Sequence, residues 1–107
     1  GDVYKRQTLQ PFTAAGGGVS FRNGQYEMVL VHAHVDALTA RSNEKRLEQI
    51  LTTGASVIRQ QRWADVVEVV SIERQESTVV TRLRTDELTL PFEAMLTSDS
   101  IFASFWR

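Results

Sequence analysis

The sequence predicts an α+β domain in which a curved antiparallel sheet packs on one helix, and three observations carry that expectation. Asn23-Gly24 stands between strand-prone flanks, the signature of a two-residue hairpin turn. Beyond Ser42, the apolar residues Leu47, Ile50 and Leu51 recur at helical spacing, with Lys45, Arg46, Glu48 and Gln49 turned to water. The last third of the chain alternates apolar and polar residues in short runs. The connections between those runs are too short for parallel crossovers, so neighbouring strands must be antiparallel. The predicted order is a β-hairpin, one helix and a meander of three to four strands.

Each element has its own local reason. Asn and Gly both tolerate positive φ, which a type I′ turn demands, so Asn23-Gly24 closes a hairpin whose second arm runs from Tyr26 to about Val35. Alternation along that arm puts Met28, Leu30, His32 and His34 on one face and Val29, Val31, Ala33 and Val35 on the other. Met28, Val31, Val35 and Leu38 also fall on a helical stripe, but the Asn-Gly turn favours a strand. Ser42 reads as the N-cap of the following helix, with Glu44 in its first turn. Gly54 is expected to end that helix, since a glycine inside one costs about 1 kcal/mol against alanine. Strands are then expected at Val66–Arg74, Thr78–Thr85, Leu88–Thr97 and Ile101–Trp106, with Pro91 at an edge or a bulge.

Length and composition fit one domain. The chain has 107 residues, 42% of them hydrophobic and 23% charged, an ordinary globular balance. Twelve basic against thirteen acidic side chains leave no net field for nucleic acid or an anionic membrane, so neither partner is expected. The absence of cysteine excludes disulfide scaffolds, thiol catalysis, iron–sulfur clusters and Cys-type zinc sites. The longest apolar run is Met28–Val31, far short of a membrane span, and no signal-peptide pattern is present, which together point to the cytoplasm.

The first residues stand apart. Gly1-Asp2-Val3-Tyr4-Lys5-Arg6-Gln7 resembles the in-frame translation of a transposon-end sequencing adapter, so residues 1–7 are set aside from fold reasoning and a truncated beginning is expected. Residues 8–18, with Ala14-Ala15-Gly16-Gly17-Gly18, read as a flexible linker or remnant, and residues 19–107 as a single α+β domain.

One constellation has chemical character. On a strand, His32, His34 and Asp36 share a face, so two imidazoles and a carboxylate would project together. Such a set could hold zinc, act in acid–base chemistry in a pocket, or be no more than polar groups on a half-buried strand. The last is the commonest outcome, and no metal or cofactor is expected. Arg82 and Arg84, with Arg74 on the neighbouring strand, form a basic stripe that Glu68, Glu73 and Glu93 can neutralise across the sheet. Trp63, Phe102 and Trp106 either fill the core or line a ligand cavity. No Gly-x-Ser-x-Gly nucleophile elbow is present.

Three resemblances extend this reading. A helix ending near Leu51-Thr52-Thr53-Gly54, a long strand through Trp63-Ala64-Asp65-Val66-Val67-Glu68-Val69, then Ser77–Thr81, Pro91–Leu96 and Ser100–Trp106 together resemble the nuclear-transport-factor-2-like superfamily, in its ketosteroid-isomerase and polyketide-cyclase-like branches. That resemblance implies a cone-like sheet wrapped around a helix, enclosing an apolar pocket in some members and serving as a non-catalytic dimerising module in others. The family's paired N-terminal helices have no counterpart here, and its catalytic Asp and Tyr cannot be matched, so no catalytic residue is carried over and enzymatic activity is left open. The order of strands and helix is also similar to roadblock and longin interaction modules. Finally, Val29–Asp36 resembles the first barrel strand of metal-dependent amidohydrolases, although this chain holds only the two histidines His32 and His34.

The expectation is therefore a domain that binds a small apolar molecule or forms a homodimer, with His32, His34, Asp36 and Trp63 as candidate ligand-binding residues. A roomy apolar pocket with His34 or Asp36 at its wall would favour the ligand. A filled core with an exposed apolar surface would favour association.

Overall fold

The computed structural model describes residues 9–56 and 60–87. It is an α+β domain: a four-stranded antiparallel sheet, not closed into a barrel, carrying one main helix on its inner face. In chain order the elements are β1 (Ala14–Arg22), β2 (Gln25–Ala33), α1 (Ala37–Thr53), the short β3 (Ala55–Ser56) and β4 (Gln61–Arg62), the single-turn α2 (Trp63–Val66), β5 (Glu68–Gln75) and β6 (Thr78–Thr85). The sheet order is β1-β2-β6-β5, and β3 and β4 make a separate two-stranded ladder. The expected strands Leu88–Thr97 and Ile101–Trp106, with Pro91, Glu93, Phe102 and Trp106, lie outside the described residues, as do residues 1–7.

The hairpin turn follows its residues. Arg22 pairs with Gln25, leaving Asn23 and Gly24 as the loop with φ 55° and 78°, the two positive values of a type I′ turn. Pairing continues to Ala14↔Ala33, so Ala14–Gly18 is the first half of β1 and not a flexible joint. The backbone hydrogen bonds of a ladder do not depend on side chains, and β2 supplies a full-length partner for the glycines.

β2 alternates as its sequence implies. Met28, Leu30 and His32 face inward and are buried, while Val29, Val31 and Ala33 face the other side and are half-buried. On β6, Val79, Thr81, Leu83 and Thr85 point the same inward way. The helix lays Ala40, Leu47, Ile50 and Leu51 against this surface, and Trp63, Val66 and Val67 close the core from the side.

Three boundaries differ from the sequence reading, each for a visible reason. α1 starts at Ala37, well before Ser42, because Asp36 is its N-cap: the Thr39 amide donates to Asp36 Oδ1 at 2.7 Å. Trp63 opens the turn of α2 instead of lying on a long strand. Helical spacing buries Trp63 and Val66 together and leaves Asp65 outside, whereas a strand would aim Trp63 and Asp65 at the same face. Lastly, β5 shifts register between Val69 and Ser71, which puts Arg74 opposite buried Val79 and on the inner face, away from Arg82 and Arg84. Gly54 does end α1, its amide donating to the Ile50 carbonyl at 2.8 Å.

The β5–β6 turn carries local strain. Glu76 holds φ 56° in the left-handed region, where a side chain costs about 1 kcal/mol and glycine essentially none. Glu76→Gly is therefore expected to raise the unfolding free energy by about 1 kcal/mol in urea titration. An unchanged or lower value would show that the turn is not strained at this residue.

Candidate functional site

Two regions of the domain qualify as candidates: the buried histidine pair where β2 ends, and the outer strand β1. His32 lies at the last inward position of β2 and is 0% exposed. The ring of Phe12, on the segment leading into β1, meets it edge-on with centroids 5.1 Å apart. Burial, helped by the nearby His34, lowers the His32 pKa from 6.5 to about 4, so the imidazole is neutral at pH 7.

His34 lies just beyond the strand, buried, and both its ring nitrogens are engaged. The chain of donors fixes every role. The Gln10 amide donates to Asn43 Oδ1 at 2.7 Å, so Oδ1 is the acceptor and Nδ2 the donor of that side chain. Asn43 Nδ2 then donates to the Gln10 carbonyl at 3.0 Å and to His34 Nε2 at 2.9 Å. The opposite nitrogen, His34 Nδ1, donates to the Ser77 carbonyl at 2.9 Å, and the Ser77 carbonyl also accepts from the His34 amide. One buried cluster thus ties the entry segment, the end of β2, the middle of α1 and the β5–β6 turn. Asn43, which the sequence reading passed over, is its hub. The signal was available: position 43 falls on the stripe of Leu47, Ile50 and Leu51, and a polar residue there has to find partners inside.

The remaining sequence candidates separate. Asp36 does not join the imidazoles on a strand face. It is exposed at the head of α1, and its hydrogen bonds from the Thr39 amide and side chain hold its carboxyl below the usual range. Trp63 is a core residue beneath α1. Asp36 is thus set apart at the surface from the buried His32, His34 and Trp63. A surface depression of about 230 Å³ is lined by Arg22, Asn23, Gln25, Tyr26, Glu27 and Arg84. Another of about 320 Å³ lies between α1 and β5, against Glu48, Thr52, Val69 and Ile72. None of the four candidates lines either. Among the described residues, no group of three or more His, Asp or Glu side chains could hold a metal. β2 is antiparallel to both neighbours, unlike the first strand of a parallel barrel.

The charged face is paired in part as the sequence implies. Arg84 lies 3.8 Å from Glu27 and 3.9 Å from Glu68 on its neighbouring strands, while Arg74 on the inner face reaches Glu44 of α1 at 3.7 Å. These are loose, solvent-facing pairs worth at most about 1 kcal/mol each.

The second region is β1. It is the end strand of the sheet, with β2 on one side and no neighbour on the other among the described residues. On its inner face Val19 is 51% and Phe21 60% exposed, although the Phe21 ring leans on Tyr26 with centroids 5.0 Å apart. Val35 and Leu38 are also exposed, at the start of α1. Among the described residues no helix is long and apolar enough to cross a membrane.

No family model, curated protein or solved structure matches this chain.

Two outcomes follow from the histidine cluster. The folded state keeps His32 neutral where the unfolded chain would protonate it, so its contribution is complete above pH 6.5 and is lost as pH falls from 6.5 to about 4. Unfolding free energy should fall by about 3 kcal/mol across that window, and the slope should flatten in His32→Gln. Equal slopes in the two proteins would contradict this. Asn43→Ala removes a threefold buried anchor and should cost about 2–3 kcal/mol, measured by urea titration at pH 7. A cost under about 0.5 kcal/mol would show that the cluster adds little to the fold.

Proposed function

We propose that this domain is an association module that works through the open edge and exposed apolar residues of β1. The carrying observation is the contrast between the two edges of the sheet. An exposed edge strand is a template for another chain, and proteins blunt edges they do not use with charges, bulges or proline. β5 is blunted in this way, by the register shift at Val69/Ser71 and by Glu68, Glu73 and Arg74. From Ala14 to Phe21, β1 has no charge, no proline and no bulge, and it keeps Val19 and Phe21 in water.

The interior supports the same reading. Met28, Leu30, Leu47, Ile50, Leu51, Val79 and Leu83 are all nearly inaccessible, so the space between helix and sheet is occupied by side chains. His34 is engaged at both nitrogens and Asp36 caps α1, which supports a structural use of these residues. Of the two activities that the resemblance to nuclear-transport-factor-2-like domains implies, dimerisation is the one the geometry favours.

Val19→Lys combined with Phe21→Lys tests this reading, since neither side chain belongs to the buried core. Sedimentation velocity of the unaltered domain should show association growing between about 1 and 100 µM, while the double variant stays monomeric with its melting temperature within a few degrees. A domain monomeric throughout that range, or a double variant that associates as strongly, would contradict the proposal.

A further inference from the structure

We infer that the partner of β1 is β1 of a second copy, running antiparallel about a two-fold axis at Gly18. This rests on the reading of the domain as an association module, and it adds the partner and the register.

The first argument is electrostatic. A strand that pairs with itself about a two-fold axis sets each residue near the axis close to its own copy, so a charge there would meet a like charge. Ala14–Phe21 carries none, and the first charge on the strand is Arg22 at its end. An edge shaped for a different acidic or basic partner would have no reason to exclude both signs over this length.

The second argument is steric. The pairing with β2 puts Ala15, Gly17, Val19 and Phe21 on the inner face, opposite His32, Leu30, Met28 and Tyr26, and Ala14, Gly16, Gly18 and Ser20 on the outer face. Directly opposed residues in an antiparallel pair share a face, so only registers that match inner with inner are allowed. Centring on Gly18 sets Phe21 against the partner's Ala15 and Val19 against the partner's Gly17. Both large exposed side chains then lie beside small ones, and the symmetry repeats the fit. Centring on Gly17 would instead place Phe21 against Thr13, outside the strand.

The glycines supply the third argument. Gly16 and Gly18 do not have positive φ, and a Cβ added at either would meet no atom within 4 Å. Among the described residues nothing requires glycine at these positions, where it weakens a strand by roughly 0.5–1 kcal/mol against alanine. A second backbone alongside gives them a role, because strand glycines often mark the close approach of another chain. The two four-stranded sheets would then join into one continuous sheet, a closed isologous dimer with no further open β1 edge.

The chain has no cysteine, so a single introduced thiol can form only an intermolecular disulfide. Opposed Cα atoms in an antiparallel pair are about 4.5–5.5 Å apart, inside the disulfide range. Gly18→Cys, oxidised at a concentration where the domain associates, should convert largely to a covalent dimer, and Val19→Cys, which faces the partner's Gly17, should convert far less. As a second check, a mixture of Ser20→Cys and Gly16→Cys should cross-link unlike copies in preference to like ones. Association that persists while Gly18→Cys and the mixture both fail to cross-link overturns this pairing and leaves the association reading standing. A domain that is monomeric at every concentration, with no cross-linking, overturns both. So does a monomer whose β1 edge is covered by another segment of its own chain.

Discussion

A single helix has to cover one face of a four-stranded sheet, and it is too narrow for the task. An α-helix with its side chains is about 10–12 Å across. Four strands spaced about 4.8 Å apart place the outer axes about 14 Å from each other, before side chains are counted. The apolar stripe of α1 lies closest to β5 and β6, and its core residues share one cluster with Met28 and Leu30 of β2 and Val79 and Leu83 of β6. β1 is the strand left over. Its inward residues Val19 and Phe21 stay exposed.

At the other end of the sheet, the same constraint is met by polar chemistry. The segment from Gln10 to Thr13 is held against α1 and β2 at this end through directional bonds. Asn43 clamps the Gln10 backbone at both its amide and its carbonyl, the Thr13 amide donates to Ala33, and Phe12 seals His32. Directional bonds hold only in one arrangement, so this end has a defined closure where an apolar contact alone would tolerate slippage. The histidines that look like catalytic or metal-binding groups in the sequence are parts of that closure. For His32 the neutral form is what burial favours, and loss of stability in acid is the expected consequence.

The legibility of the sequence divides along the same physical lines. Local signals were reliable: Asn23-Gly24 demanded a turn that only positive φ could satisfy, the Leu47–Leu51 spacing demanded a helix, and alternation from Met28 to His32 assigned the buried face. Errors arose where one residue type serves two purposes. Asp36 is as good a helix cap as a metal ligand, and its spacing from His34 concealed the Asp36–Thr39 cap. Ala14–Gly18 has linker composition, yet a strand needs only backbone groups and a partner, which β2 provides across the Asn23-Gly24 turn. The inward position of Arg74 depends on a bulge that no composition rule announces. The end position of β1 among the described residues was not legible at all, since it is set by the order β1-β2-β6-β5, a property of tertiary pairing.

The central claim is that β1 is completed from outside the molecule. Amide hydrogen exchange across Ala15–Phe21, followed as a function of protein concentration, tests it most directly. In an antiparallel end strand only alternate amides have an intramolecular partner, so the account predicts that the remaining amides exchange quickly in dilute solution and become protected as concentration rises. Protection of those amides that is the same at every concentration, whether high or low, would contradict it.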